Sequence, residues 1–262
     1  MIEELDLEPV HPGLPKSPRH AYVIVMAMML DRATVASVWR GSGSAYDRPV
    51  MIPRRLHQIW LGPRPQPGVW MDTWRPLNPT FDVRVWDEAS ISALDLRNRS
   101  VYDRFLEEGI FDGAADVARV EVLQREGGIY VDADSIALSP LEDALLDAGF
   151  FAVREPDPGD GEAPVGNACM GAVAGHPVHE RYRAVISQVV TLRPMWRRTG
   201  PGALTDVLER SDEADITVLP AWTFYATTID GAAVTGGEPF GRHFWSTTAE
   251  RWGRAGGTPY PR

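Results

Sequence analysis

Cysteine is nearly absent. Cys169 stands alone in 262 residues, so no internal disulfide can form and Cys/His zinc frameworks lack their ligands, as expected of a reducing compartment. Lysine is as scarce: Lys16 is the single lysine among 26 basic residues, and the rest are arginines, which can grip phosphate bidentately. Positive charge is outweighed as well. The formal net charge of −10 does not present the overall basic footprint of a nucleic-acid binder. Long apolar runs are missing too. The longest, AYVIVMAMML at 21–30, is too short to span a bilayer. The acids before it, Glu3, Glu4, Asp6 and Glu8, do not form the positive leader of a signal peptide. These absences point to a cytoplasmic protein with no membrane span and no nucleic-acid partner. Hydrophobic residues make up 44% of the chain, enough to bury a sizeable core, and the length suits one α/β domain with small additions.

Residues 1–50 read as an N-terminal arm or extension, rich in proline and charge and closed by Gly41-Ser42-Gly43-Ser44. Within it, 21–40 fits either a strand followed by a helix or one buried helix. A single catalytic domain is expected over 51–262. Its first buried strand is expected at 56–61, and FDVRVW at 81–86 alternates as a half-buried second strand. Helix is expected within 69–77, 88–111, 113–126, 141–148 and 178–192, and from Gly200-Pro201 to about 208. Strands are expected at 129–131, 150–153 and 216–219. Residues 155–164, EPDPGDGEAP, read as an exposed acidic loop. Alternating strands and helices argue for a largely parallel sheet covered on both faces, with ligands at the carboxyl ends of its strands.

The most informative stretch runs from 112 to 143. Asp112 is placed as the N-cap of a helix whose Val117, Val120 and Leu123 line one face, with Gly127 as its stop. The strand Ile129-Tyr130-Val131 then delivers Asp132 and Asp134, spaced so that an extended chain points both carboxylates to one side. Hard oxygen ligands of this kind suit Mg2+ or Mn2+, which neutralise a departing diphosphate without proton transfer. Short D-x-D strings also occur by chance. Asp116 and Arg119, three apart, read on spacing alone as a helix-surface pair. An EF-hand loop starting at Asp132 fails, because Ile136 and Ala137 fill its fifth and sixth positions.

Taken together, Asp116, Arg119, Leu123, Gly127, Gly128, Ile129, Tyr130, Asp132 and Asp134 resemble the signature of the DXD-containing glycosyltransferases of the sugar-binding-region family. That family includes Golgi initiating mannosyltransferases, capsule and oligosaccharide transferases, and relatives of the large glucosylating cytotoxins. Ile52-Pro53 with His57-Gln58-Ile59-Trp60 and Gly62 resembles the family's first strand, and Asn78-Pro79 followed by Trp86-Asp87 continues the likeness. Weaker matches are Asn167 with Gly171, Gly200-Pro201, and His243-Phe244-Trp245.

The resemblance implies a GT-A-type fold, a Rossmann-like mixed and mostly parallel sheet with helices on both faces. It implies retaining transfer of a hexose from a UDP- or GDP-sugar with Mn2+ or Mg2+. Asp132, Asp134 and His243 would then form the metal shell, and Asp116 and Arg119 would hold the donor sugar or its phosphates. Ile59, Trp60, Tyr130, Ala133 and Asn167 would line the nucleotide-sugar site. The acceptor would be a soluble small molecule, natural product or oligosaccharide, with a protein acceptor also open. The sequence departs from the family's ending: Phe244 replaces a second histidine, Ser246-Thr247-Thr248 follows, and Trp252 comes late. Two other readings stand beside this one. Val131-Asp132-Ala133-Asp134 also resembles the nucleophile strand of haloacid-dehalogenase phosphatases, with Asp132 as nucleophile, although the lysine such enzymes use downstream is missing. A catalytically weak sugar-nucleotide or glycan binder is the non-enzymatic alternative.

Overall fold

The computed structural model describes residues 51–156 and 163–245. The arm at 1–50, most of the acidic loop, and Ser246, Thr247, Thr248 and Trp252 lie outside them. A six-stranded sheet has the order β2-β1-β3-β6-β5-β7. Its strands are β1 Arg55–Ile59, β2 Asp82–Trp86, β3 Gly128–Val131, β5 Phe150–Arg154, β6 Val165–Ala172 and β7 Ile216–Leu219. β6 is antiparallel to both neighbours, and the other pairings are parallel. A second, two-stranded sheet pairs β4 Ser135–Ala137 with β8 Gly241–His243.

Alternation along the strands sends side chains to two cores. Ile59, Tyr130, Phe150, Ala152 and Met170 face one core. It is filled by helices α1 Arg99–Glu107, α2 Phe111–Glu126, α3 Pro177–Ile186 and α4 Pro201–Glu209. Leu56, Ile129, Val131, Phe151 and Cys169 face the other, where the cover is single helical turns and aromatic loops carrying Trp74, Leu146, Phe224 and Phe240. The mixed, mostly parallel sheet is as expected, but its helical cover is unequal, with the long helices on one face.

Helix α2 departs from its expected amphipathic form. Its buried residues run around the cylinder, from Gly113, Ala114 and Asp116 to Ala118, Arg119, Glu121 and Leu123. A helix enclosed on all sides lies inside the protein, so Asp116 and Arg119 are internal and not the surface pair that spacing alone suggests. The start also differs. Ile110 is the N-cap residue and Asp112 sits in the first turn, its carboxylate accepting from the Gly113 amide at 3.1 Å. Gly127 ends the helix at φ +60°, and Gly128 follows at φ +104°. A Cβ on Gly128 would lie 2.7 Å from the Arg55 carbonyl oxygen, so only glycine lets β3 start this close to β1. The 88–111 region holds two helices, Glu88–Ser92 and α1, and α3 stops at Ile186.

Candidate active site and metal centre

The sheet ends on one acidic cluster. After β3 the chain does not stay extended. Asp132 to Ser135 forms a turn in which the Ser135 amide and hydroxyl both donate to the Asp132 carbonyl, at 3.1 and 2.6 Å. The two carboxylates therefore converge through a turn, not through strand alternation. The β4–β8 ladder sets Ser135 opposite His243 and closes the cluster from 108 positions downstream. His243 Nε2 lies 3.3 Å from Asp132 Oδ2 and 3.0 Å from Asp134 Oδ1. The backbone holds this closure too, since the Phe244 amide donates to the Asp134 carbonyl at 2.9 Å.

Behind the cluster, α2 supplies a buried ionic network. The Arg119 guanidinium reaches Asp132 Oδ1 at 3.0 Å, Asp116 Oδ1 at 3.2 Å and the Asn167 carbonyl at 2.6 Å. It also lies over the Tyr130 ring, 4.5 Å from its centroid, a cation–π contact between two buried side chains. The Tyr130 hydroxyl donates to Asp132 Oδ1 at 2.7 Å. Asp116 accepts from Asn167 Nδ2 at 2.8 Å and from Thr199 Oγ1 at 3.0 Å. A Cβ on Gly200 would lie 3.3 Å from Asp116 Oδ2, so the start of α4 rests against this carboxylate.

The charges follow from these contacts. Burial pushes the Asp116 carboxyl up to about 6 against the pull of Arg119, which leaves it mainly ionised at neutral pH. Burial opposes charge on Arg119, yet Asp132, Tyr130 and Asp116 outweigh it and hold the guanidinium firmly protonated. Burial likewise disfavours charge on His243, but Asp134 and Asp132 overcome it and lift the imidazole to about 10. Burial raises Glu155, at the end of β5, to about 7, with His243 lowering it and Asp132 raising it.

The donor set fits a divalent ion. Asp132, Asp134 and His243 offer ligand atoms within 4.8 Å of one another, two hard oxygens and one nitrogen, the mixture that suits Mn2+ or Mg2+. With His243 neutral as a ligand, three aspartates against one guanidinium leave two negative charges, which a divalent cation balances. Three protein ligands also leave coordination positions open to a diphosphate.

The other expected site residues divide. Asn167 joins the network, and Ala133 sits buried in the turn between the two acids. Ile59 and Tyr130 are buried in the helix-side core. Trp60 is half-buried just past β1, with its indole N–H donating to the Arg64 carbonyl at 2.8 Å. Phe244, in place of a second histidine, stacks on Trp70 with centroids 4.7 Å apart. Three participants escaped the sequence reading. Thr199 carries no motif beyond its place before Gly200-Pro201. Tyr225 stacks on Trp245 at 5.2 Å and meets the His243 ring edge-on at 5.8 Å. Glu155 had a readable signal, an acid just past the carboxyl end of an apolar strand.

Parts of the chain are similar to known proteins. Residues 70–151 match the family model described as "Glycosyltransferase sugar-binding region containing DXD motif". That span holds Asp116, Arg119, Asp132 and Asp134. An uncharacterised glycosyltransferase of Acanthamoeba polyphaga mimivirus is 32% identical over 111 residues, covering 38% of this chain and 42% of that protein. Subversion of eukaryotic traffic protein A of Legionella pneumophila is 24% identical over 120 residues, covering 36% of this chain and 19% of that protein. The chain thus spans less than half the length of either curated relative. The solved PaToxG glycosyltransferase superposes with a TM-score of 0.52 at 16% identity, over 73% of this chain and 78% of that one. Residues 70–151 are thus similar to the DXD glycosyltransferase region, and the fold is of the GT-A type.

Proposed function

We propose that the protein is a metal-dependent glycosyltransferase that moves a hexose from a UDP- or GDP-sugar, with retention of anomeric configuration, to a soluble acceptor. The observation that carries this reading is the convergence of Asp132, Asp134 and His243, from two distant parts of the chain, onto one point backed by the Arg119 network. Residues 51–262 act as one catalytic domain behind the 1–50 arm, and the protein works in the cytoplasm. Among the described residues no helix is long and apolar enough to cross a membrane.

Asp132, Asp134 and His243 hold Mn2+ or Mg2+, which when bound supplies Lewis-acid neutralisation of the departing diphosphate. Arg119 aims Asp132, since its Nη1 and the Tyr130 hydroxyl both engage Oδ1 and leave Oδ2 facing His243. Asp116, pre-aligned by Asn167 and Thr199, receives the donor sugar's hydroxyls. Trp60 stacks on the base. Fixed groups of this kind lower the barrier because they need not reorganise during the reaction.

The test is a screen of UDP- and GDP-sugars with Mn2+, reading nucleotide release and, by NMR, the anomer formed. Release from one donor class with the donor's configuration kept is the expected outcome. Inversion overturns the retaining course, and phosphate release from simple phosphomonoesters in place of nucleotide release overturns the whole reading.

A further inference from the structure

Thr199 has the place of a surface residue and the burial of a core one. It follows the helical turn Met195–Arg198, whose Trp196, Arg197 and Arg198 are all exposed, yet it is itself fully enclosed. Each of its polar groups is engaged. Its amide donates to the Met195 carbonyl at 2.8 Å. Its carbonyl accepts from the Tyr182 hydroxyl at 2.5 Å, and the same hydroxyl reaches the Gly200 carbonyl at 3.1 Å. Tyr182 belongs to α3 and is buried. A threonine in or just after a helical turn can bond the carbonyl four residues back. Met195 offers that carbonyl at 3.4 Å, but the shorter bond, 3.0 Å, goes to Asp116 Oδ2.

Asp116 has few accepting positions to spare. An ionised carboxylate accepts about four hydrogen bonds, two on each oxygen. Asn167 Nδ2 and the Arg119 guanidinium both occupy Oδ1, at 2.8 and 3.2 Å. Thr199 takes one position on Oδ2, so one accepting direction remains there, beside the threonine hydroxyl. The backbone after Thr199 is pressed against the same oxygen. A Cβ on Gly200 would lie 2.9 Å from Trp196 Cα and 3.3 Å from Asp116 Oδ2, so glycine at 200 lets the chain pass this close. Among the described residues Arg119 is the cation that faces Asp116. Asp112 lies a turn before it on the same helix, and Tyr130 and Tyr182 face it from β3 and α3. Burial raises the Asp116 carboxyl, Arg119 lowers it, Asp112 raises it, and the bonds from Asn167 and Thr199 lower it.

We infer that Thr199 is a positioning residue for the transfer: held from behind by Tyr182, its hydroxyl aims the remaining accepting position of Asp116 at the donor sugar and touches no substrate itself. This rests on the glycosyl-transfer reading above. The bond has a second consequence. Only the ionised carboxylate accepts from Thr199, Asn167 and a sugar hydroxyl together, so use of the donor falls as pH drops through about 6. Removing the threonine hydroxyl removes a bond that favours the ionised form, and the fall moves to higher pH. A residue that only supported the fold would leave its pH unchanged.

The experiment measures nucleotide release from the sugar nucleotide that wild type turns over fastest, at saturating Mn2+, as a function of pH. Beside it stands Mn2+-dependent binding of the matching nucleoside diphosphate, which lacks the sugar. Thr199→Val keeps nearly the same shape and removes the hydroxyl. Its donor KM is expected to rise about tenfold or more, and the acid fall of kcat/KM to move up by about one pH unit, as for a lost hydrogen bond to a charged group. Diphosphate affinity is expected within about threefold of wild type. Thr199→Ser restores the hydroxyl and is expected to stay within about threefold of wild type throughout. A Thr199→Val donor KM within about threefold of wild type, or an unmoved acid fall, overturns the inference. So does a diphosphate affinity lost in step with donor KM, or a Thr199→Ser as impaired as Thr199→Val. A wild type that releases nucleotide from none of the donors overturns the underlying reading, and this inference with it.

Discussion

His57 is neutral because both its ring nitrogens are committed. Nε2–H donates to the Gly127 carbonyl at 2.8 Å, and Nδ1 accepts from the Trp86 indole N–H at 3.1 Å. Burial, with only partial relief from the Gly127 bond, lowers its pKa from 6.5 to about 4. The folded state therefore binds fewer protons than the unfolded chain. The stability His57 contributes is complete above pH 6.5 and is lost as pH falls toward 4, by up to about 3 kcal/mol. Urea titrations at pH 7.5 and 4.5 should show a smaller acid loss in His57→Gln than in wild type. Arg119 poses a different problem, a buried cation with two carboxylates depending on it. Arg119→Ala should cost roughly 3–5 kcal/mol, since it strands Asp116 and Asp132, and appear as a lower urea midpoint with an unchanged slope. At this scale Asp116, Arg119, Asp132 and Asp134 were singled out by their resemblance to a family signature, since spacing alone made Asp116 and Arg119 a surface pair, and the structure brings all four into one network. Thr199 was not, because a threonine that bonds a carboxylate 83 residues away leaves no local trace.

Among the elements, the glycine junction between α2 and β3 is set by contact and by dihedral at once. Gly128→Ala forces a Cβ toward the Arg55 carbonyl in a conformation that alanine avoids. It should destabilise the fold by about 2 kcal/mol or more, read as a fall in melting temperature. β1, β2 and β3 announce themselves by apolar pattern and punctuation, and α2 by the glycine stop that ends it. β6 does not. VGNACMGA is buried at every position, so neither face alternates with solvent, and its glycines weaken any strand propensity. Those glycines exist for cross-strand neighbours: Gly166 for Glu155 and Tyr225, and Gly171 for the Phe151 ring it pairs with. β8 is three residues long, and its role comes from its partner β4. Such elements are specified by what they pack against, which a local reading of sequence does not contain.

Across the whole molecule, the candidate ion site of Asp132, Asp134 and His243 joins the DXD turn to the last described strand. Ligand binding to the folded state alone stabilises it by mass action, about 2.7 kcal/mol at 100 times Kd. Mn2+ should therefore raise the melting temperature of the wild type, and much less that of His243→Ala, which keeps both acids but loses the closing imidazole. The most direct measurement pairs Mn2+ affinity, by calorimetry, with Mn2+-dependent nucleotide release in wild type and Asp134→Asn. The substitution keeps the side chain's shape and removes the charge that faces His243 at 3.0 Å. The expected result is a Kd weakened by tenfold or more and release lowered by about 100-fold or more. Equal affinity and equal release in the two proteins would contradict the metal centre and the chemistry built on it.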